Sequence, residues 1–199
     1  MKKFFILVFF FLISIKFSFA ENLNFKKIVD LKDPWSSTFI NNNELLITEK
    51  SGKIKLVNFN SKKVLEIKHN LNYLEHGQGG LLDILFKDDN VYISYTENRG
   101  DGKTSTSIAK GEFNKKNLIF RNIFQANPPI DSGYHFGSRL AIKDNFLFAS
   151  AGERGQGMIA QDPTQHPGSI IRINIDGSIP KDNPKFQGKS DWLPEIYQM

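Results

Sequence analysis

The strand-like runs of this sequence come in groups of four, and this grouping restricts the fold more than any other feature. Short β-branched or aromatic runs alternate with clusters of Asn, Asp, Gly and Lys, and no long stretch has a helical period. The first group is Trp35–Ile40, Glu44–Thr48, Lys53–Phe59 and Lys63–Ile67; the second is Leu81–Phe86, Asn90–Thr96, Thr104–Phe113 and Leu118–Phe124; a third begins with Ser138–Ile142, Phe146–Ala151 and Ser169–Ile175.

The spacing of these groups predicts an all-β propeller. The second strands of the three groups, matched at Leu45, Val91 and Phe146, are 46 and 55 residues apart, which is close to the roughly 40–50 residues of a propeller blade. A β-sandwich is the alternative, but we expect the longest connections to fall between groups, and the Gly-rich segments 77–80 and 133–137 both precede a first strand. We therefore expect an incomplete arc of about three to four antiparallel blades, with one blade face left unpaired.

The first twenty residues have the pattern of a secretory signal peptide. Two lysines precede an apolar run, and Ser18-Phe19-Ala20 offers small residues at a cleavage site. The run is shorter than the ~20 residues that cross a bilayer, and Lys16 interrupts it. We expect cleavage after Ala20, a single domain over residues 21–199, no stable membrane anchor, and a periplasmic or secreted protein.

Charge and cysteine content exclude several classes of function. Three of the 26 basic residues lie in the leader, so 23 remain against 21 acidic residues, a net charge of +2. Because many lysines lie in polar turns rather than along one face, a nucleic-acid groove is not indicated. The chain has no cysteine, so core burial alone must hold the domain together, without disulfides or thiolate metal sites.

The loop Gly77-Gln78-Gly79-Gly80 is a candidate binding loop. Three glycines around one amide side chain allow close approach of another molecule, and the amide of Gln78 can donate and accept hydrogen bonds to a carbonyl-rich ligand or a sugar hydroxyl. A tight turn with Gln78 in solvent is the structural alternative.

His135 is the candidate catalytic base. It lies in Tyr134-His135-Phe136-Gly137-Ser138-Arg139, directly before a strand-like run, and an imidazole with an ordinary pKa of ~6.5 can accept a hydroxyl proton near neutral pH. A surface or structural histidine is the alternative. Arg139 has two interpretations, neutralising an anionic ligand or pairing with Asp131 or Asp144.

Other motifs carry no chemistry that we can identify. The remaining histidines, His69, His76 and His166, lack zinc-site spacing, and neither His-Glu-x-x-His nor Gly-x-Ser-x-Gly occurs. The segment 100–104 resembles the end of a phosphate-binding loop but lacks its first glycine and its helix, so we interpret it as a hairpin tip. No metal ligand is predicted within the sequence.

Taken in order, these blocks resemble the soluble quinoprotein sugar dehydrogenases of the glucose/sorbosone dehydrogenase family, especially the aldose sugar dehydrogenase branch. The matching blocks are Pro34-Trp35, residues 45–52, 77–83, 92–95 and 135–140, Ala160-Gln161-Asp162 and residues 172–184. The match is collinear over most of the chain after the leader.

The resemblance implies a six-bladed propeller that binds pyrroloquinoline quinone (PQQ) with the help of calcium. His135 matches the base that removes the proton of the anomeric hydroxyl while hydride passes from C1 of the sugar to the quinone. Gln78 matches a glutamine that contacts cofactor and substrate. Tyr134 replaces the aspartate of the glucose-specific branch, which favours a broader aldose substrate, and an external electron acceptor is implied as a further partner.

The resemblance also implies that these residues are the first half of the family pattern. The calcium ligands and an Arg-Asn pair that contacts the quinone belong beyond residue 199, so we expect this polypeptide alone to be inactive and prone to aggregate. Two other functions remain open from the residues, a calcium-dependent propeller lactonase and a non-catalytic exported propeller that binds sugar or a protein.

Overall fold

A computed structural model describes residues 23–185, 188 and 191–199 of the chain. The predicted signal peptide lies outside these residues, so its cleavage stays a prediction. Within the described part of the chain, no helix is long and apolar enough to span a bilayer.

The described chain forms twelve strands and one short 3₁₀ helix, Gly157–Gln161. The first group of strands is β1 (Pro34–Asn41), β2 (Glu44–Glu49), β3 (Lys53–Asn58) and β4 (Val64–His69); the second is β5 (Leu81–Lys87), β6 (Asn90–Asn98), β7 (Thr104–Phe113) and β8 (Asn117–Gln125); the third is β9 (Gly137–Lys143), β10 (Phe146–Ala151), β11 (Ile170–Asn174) and β12 (Ile196–Gln198).

Each group is one antiparallel four-stranded blade, in which every strand pairs with its neighbour in sequence. Blades 1 and 2 are also joined at their outer strands, where β4 runs parallel to β8 through the pairs Lys68–Asn117 and His69–Leu118. The propeller prediction is confirmed and the sandwich alternative is wrong. The last strand, β12, is the fourth strand of blade 3.

The hydrophobic core lies between the blades because strand side chains alternate between two faces. On β6, Val91 and Ile93 pack with Leu46 and Ile54 of blade 1. Tyr92, which lies between them in sequence, packs instead with the core of blade 3. Blade 2 is therefore buried on both faces, which explains why seven consecutive residues of β6 are buried.

Asp83, on β5, joins the first strands of all three blades, because it also bonds to residues on β1 and β9. Its side chain is almost completely buried; Oδ1 accepts a hydrogen bond from Ser36 Oγ on β1, and Oδ2 accepts one from the Leu140 N–H on β9 at 2.7 Å. The guanidinium of Arg139 also lies 3.3 Å from Oδ1. Of the two interpretations of Arg139, the structure shows pairing with a carboxylate, but the partner is Asp83 and not Asp131 or Asp144, because stacking of the blades brings Asp83 from a distant strand to the guanidinium.

Candidate functional site

The candidate site lies at one end of the blades. Because the strands of a blade are antiparallel, the segment that leads into its first strand and the turn between its second and third strands lie at the same end. This end, which we call the rim, contains residues 50–52, 76–80, 99–103, 131–136 and 152–161. The segment 100–104 forms the turn between β6 and β7, as the hairpin interpretation predicts.

The structure brings Gln78 and His135 together at the rim, although they belong to the segments that lead into different blades. Oε1 of Gln78 accepts a hydrogen bond from the backbone N–H of His135 at 2.9 Å, and the N–H of Gln78 donates to Gly133 O at 2.8 Å. With Oε1 engaged, the side-chain amino group of Gln78, which is solvent-exposed, is the part available to donate to another molecule.

His135 is exposed and pairs with Glu153. Its side chain is 55% exposed, and Nδ1 contacts Oε1 of Glu153 in the loop after β10. The carboxylate also accepts the N–H of Gly155 at 3.2 Å. The hydrogen bond from His135 is the main reason that the pKa of Glu153 lies below its ordinary value. An ionised carboxylate on Nδ1 holds the proton there, so Nε2 has the lone pair that can accept a proton.

Backbone contacts hold the segment around His135 in an unusual conformation. His135 has φ of 49°, a left-handed value that costs most residues free energy. Its carbonyl lies so close to Gly152 that a Cβ there would be 1.9 Å from it, and the next carbonyl, Phe136 O, accepts hydrogen bonds from Gly152 N and from Thr106 Oγ1. Glycine at position 152 is therefore required by the close approach of the two loops.

Sequence reasoning missed three charged residues of the rim. Glu153 and Arg154 lie together between Gly152 and Gly155, and Arg154 is buried. Lys50 donates from Nζ to Gly77 O at 2.9 Å and lies 3.7 Å from Glu75. The sequence did contain a signal for Glu153 and Arg154. They are a charged pair flanked by glycines, directly after the second strand of a blade, and the blade topology places that position at the rim.

The other histidines have separate environments. The ring of His69 bonds to Gly52 O through Nε2 and to the Leu71 N–H through Nδ1. His166 is buried, accepts the Asn127 N–H and lies 3.4 Å from Glu195. His76, two residues before Gln78, has a buried Nδ1 with no hydrogen-bond partner among the described residues.

The donor set of the rim fits a ligand rich in carbonyl and carboxylate oxygens, as PQQ is. The amino group of Gln78 can donate to a carbonyl, and the unpartnered Nδ1 of His76 lies in the same loop. The guanidinium of Arg139, on β9 just after the rim segment of His135, is 72% exposed. No group of three or more His, Asp or Glu side chains suited to a metal ion occurs in the described part of the chain.

The chain matches the family model for glucose/sorbosone dehydrogenase over residues 31–199. The aldose sugar dehydrogenase of Escherichia coli strain K12 is 32% identical over 177 residues, which cover 84% of this chain and 47% of that protein. The apo crystal structure of the soluble aldose sugar dehydrogenase from Escherichia coli superposes with a TM-score of 0.77 over 83% of this chain and 50% of the solved one.

Two further relatives are quinoproteins by name or by bound cofactor. Quinoprotein glucose dehydrogenase B of Acinetobacter calcoaceticus is 30% identical over 212 residues, covering 87% of this chain and 44% of that protein. The PQQ-bound aldose sugar dehydrogenase of Streptomyces coelicolor, 24% identical, has the same fold, with a TM-score of 0.70 over 84% of this chain and 50% of the solved one. The chain spans about half the length of the curated relatives it matches.

Proposed function

The chain belongs to the glucose/sorbosone dehydrogenase family, and from that premise we propose that it takes part in the PQQ-dependent oxidation of aldose sugars at the anomeric carbon. Its relatives are sugar dehydrogenases. The observation that carries the proposal is the exposed His135, paired through Nδ1 with Glu153 and held through its backbone by Gln78. Since the chain spans about half the length of its relatives, the activity is proposed for the full-length gene product.

In the proposed reaction, His135 acts as the general base. Oxidation of a cyclic aldose to a lactone removes the proton of the anomeric hydroxyl and the hydrogen on C1 with its electron pair. His135 Nε2 accepts the hydroxyl proton, and Glu153 stabilises the imidazolium that results. A general base in this position typically contributes ~10²–10⁴ in rate.

When bound, PQQ supplies the two-electron acceptor chemistry that amino-acid side chains lack. The amino group of Gln78 would hold a carbonyl oxygen of the cofactor or a sugar hydroxyl, and Arg139 would attract carboxylates. Calcium is proposed to assist, with ligands outside the described residues, and an external acceptor would reoxidise the cofactor.

The test is sugar-dependent reduction of a dye by the purified gene product with added PQQ and calcium. We expect reduction with an aldose and none with its methyl glycoside, which lacks the anomeric hydroxyl. Hydrolysis of lactones without dye reduction would favour the lactonase, and sugar binding without either reaction would favour a non-catalytic propeller. Either result overturns the proposal.

We also propose that the protein is exported and acts in the periplasm or outside the cell. The support is the leader pattern of residues 1–20. N-terminal sequencing of the protein recovered outside the cytoplasm should begin at Glu21; recovery of the uncleaved protein from the cytoplasm would contradict it.

A further inference from the structure

Arg154 is a buried cation in the loop that carries Glu153. Its exposed fraction is 2%, and its guanidinium donates to Tyr134 O at 3.1 Å, to Thr104 O at 3.1 Å, to Thr104 Oγ1 at 2.7 Å and to Ser132 O. The guanidinium also stacks on the ring of Phe136 at 3.7 Å. Its contacts therefore surround His135 in sequence, at positions 132, 134 and 136.

The acceptors of this guanidinium are three backbone carbonyls and one hydroxyl, all of them neutral. Burial lowers the pKa of Arg154 to about 10, which leaves it charged at neutral pH. Removing a cation from water toward uncharged acceptors is costly. The planar guanidinium supplies a rigid set of directed donors, which an apolar residue of the same size lacks.

Arg154 contacts the backbone of the segment that positions His135. Its own N–H donates to His135 O at 3.2 Å, while its side chain holds the carbonyls of Ser132 and Tyr134. His135 has the left-handed φ described above, so the segment needs external contacts to stay in this conformation. Glu153, the residue before Arg154, contacts the ring of the same histidine.

We propose that Arg154 is a positioning residue for His135: it holds segment 132–136 so that Nδ1 of His135 meets Glu153 and Nε2 stays free to accept a proton. Glu153 binds the ring and Arg154 binds the backbone. The catalytic consequence rests on the proposed function, whereas the positioning itself does not.

Arg172 provides a matched control. It is also buried, at 7% exposed, and stacks on Phe146 at 3.9 Å, but it lies on β11 and pairs with Asp182 at 3.0 Å. Loss of either guanidinium removes buried donors beside an aromatic ring. Of these two arginines, only Arg154 contacts segment 132–136, which contains His135.

The test compares R154M with R172M in the full-length gene product labelled with ¹⁵N-histidine, with the His135 resonances assigned from His135→Gln. In the wild type we expect ring ¹⁵N shifts of His135 that correspond to a proton on Nδ1 and a free Nε2. R154M should move these shifts toward a mixture of the two tautomers while its overall amide spectrum stays folded. R172M should lower the melting temperature and keep the wild-type shifts. The proposal is overturned if R154M keeps the wild-type shifts, or if R172M changes them as well.

If R154M does not fold, R154K and R172K give the same comparison, because lysine keeps the charge but not the fork of donors. R154K should move the ring ¹⁵N shifts of His135 in the direction expected of R154M and R172K should not; equal spectra overturn the proposal. In the activity assay, R154M should lower kcat by roughly tenfold to a hundredfold with little change in KM. Failure of the proposed oxidation would show as an inactive wild type with the expected ring ¹⁵N shifts of His135, so the two failures are distinguishable.

Discussion

Oε1 of Gln78 accepts the backbone N–H of His135 at 2.9 Å, so the segment that leads into blade 2 holds the residue that precedes blade 3. This contact crosses the boundary between two blades and occupies one lone pair of the amide oxygen. The contact therefore couples the position of the candidate base to a side chain whose amino group can still donate to a ligand.

His135→Gln should lower kcat at least about a hundredfold, because a general base typically contributes 10²–10⁴ in rate, while the affinity for PQQ stays near that of wild type. Steady-state dye reduction and a PQQ titration measure the two effects. His69→Gln is the control, since that ring bonds to Gly52 and Leu71. Near-normal turnover of His135→Gln would remove His135 from its role.

Gln78→Glu should keep the hydrogen bond to the His135 N–H, because a carboxylate oxygen accepts as the amide oxygen does, but it replaces the donor with a negative charge. We expect the affinity for PQQ to fall at least about tenfold, which corresponds to roughly 1.4 kcal/mol. Asn43→Asp makes the same charge change in an exposed turn of blade 1 and should leave affinity unchanged. Equal affinity of Gln78→Glu and wild type would exclude a cofactor contact.

The carboxyl of Glu153 should titrate below the ordinary glutamate pKa of ~4.3, because its ionised form accepts a hydrogen bond from His135. A lowered folded pKa means that this contribution to stability is present above the unfolded value and is lost as the pH falls through the folded one. Carbon NMR of the carboxyl measures the midpoint.

In His135→Gln that midpoint should rise. Glu44 supplies the internal control, because Lys115 is the main cause that lowers its pKa, and its midpoint should not change. A Glu153 midpoint that is insensitive to the substitution would show that His135 does not pair with it in solution.

Asp83→Ala should destabilise the fold by at least about 2 kcal/mol, because it leaves the buried N–H groups of Leu140 and Ile84 without acceptors, at roughly 1–3 kcal/mol for each unsatisfied group. Urea unfolding measures the loss. Asp30→Ala removes a carboxylate from an ion pair with Lys27 in which both side chains are exposed, and it should have little effect. Similar midpoints for the two variants would mean that Asp83 does not join the blades.

The strand pattern and the candidate loops could be predicted from the sequence because both depend on neighbouring residues. Short runs of apolar residues between polar turn clusters indicated β9 and β10 to within one residue of their ends, and glycines marked the loops of Gln78 and His135. Blade grouping followed from the regular spacing of the second strands at Leu45, Val91 and Phe146. Connection length was wrong as a guide in blade 3, because the longest connections, between β10 and β11 and between β11 and β12, lie within that blade. That His135 and Gln78 carry the proposed chemistry remains a prediction.

The contacts around the site could not be predicted, because they join residues that only the packing of loops and blades brings together. Glu153 is 18 residues from His135, and Asp83 is 57 residues from Leu140. No local pattern selects Asp83 over Asp131 or Asp144 as the partner of Arg139. The sequence by itself determined the strands, their grouping and the loops at one end, since these follow from short apolar runs and from turn preferences. Only the tertiary structure decided which charged groups meet at the rim, because that depends on how antiparallel pairing and blade stacking align distant segments.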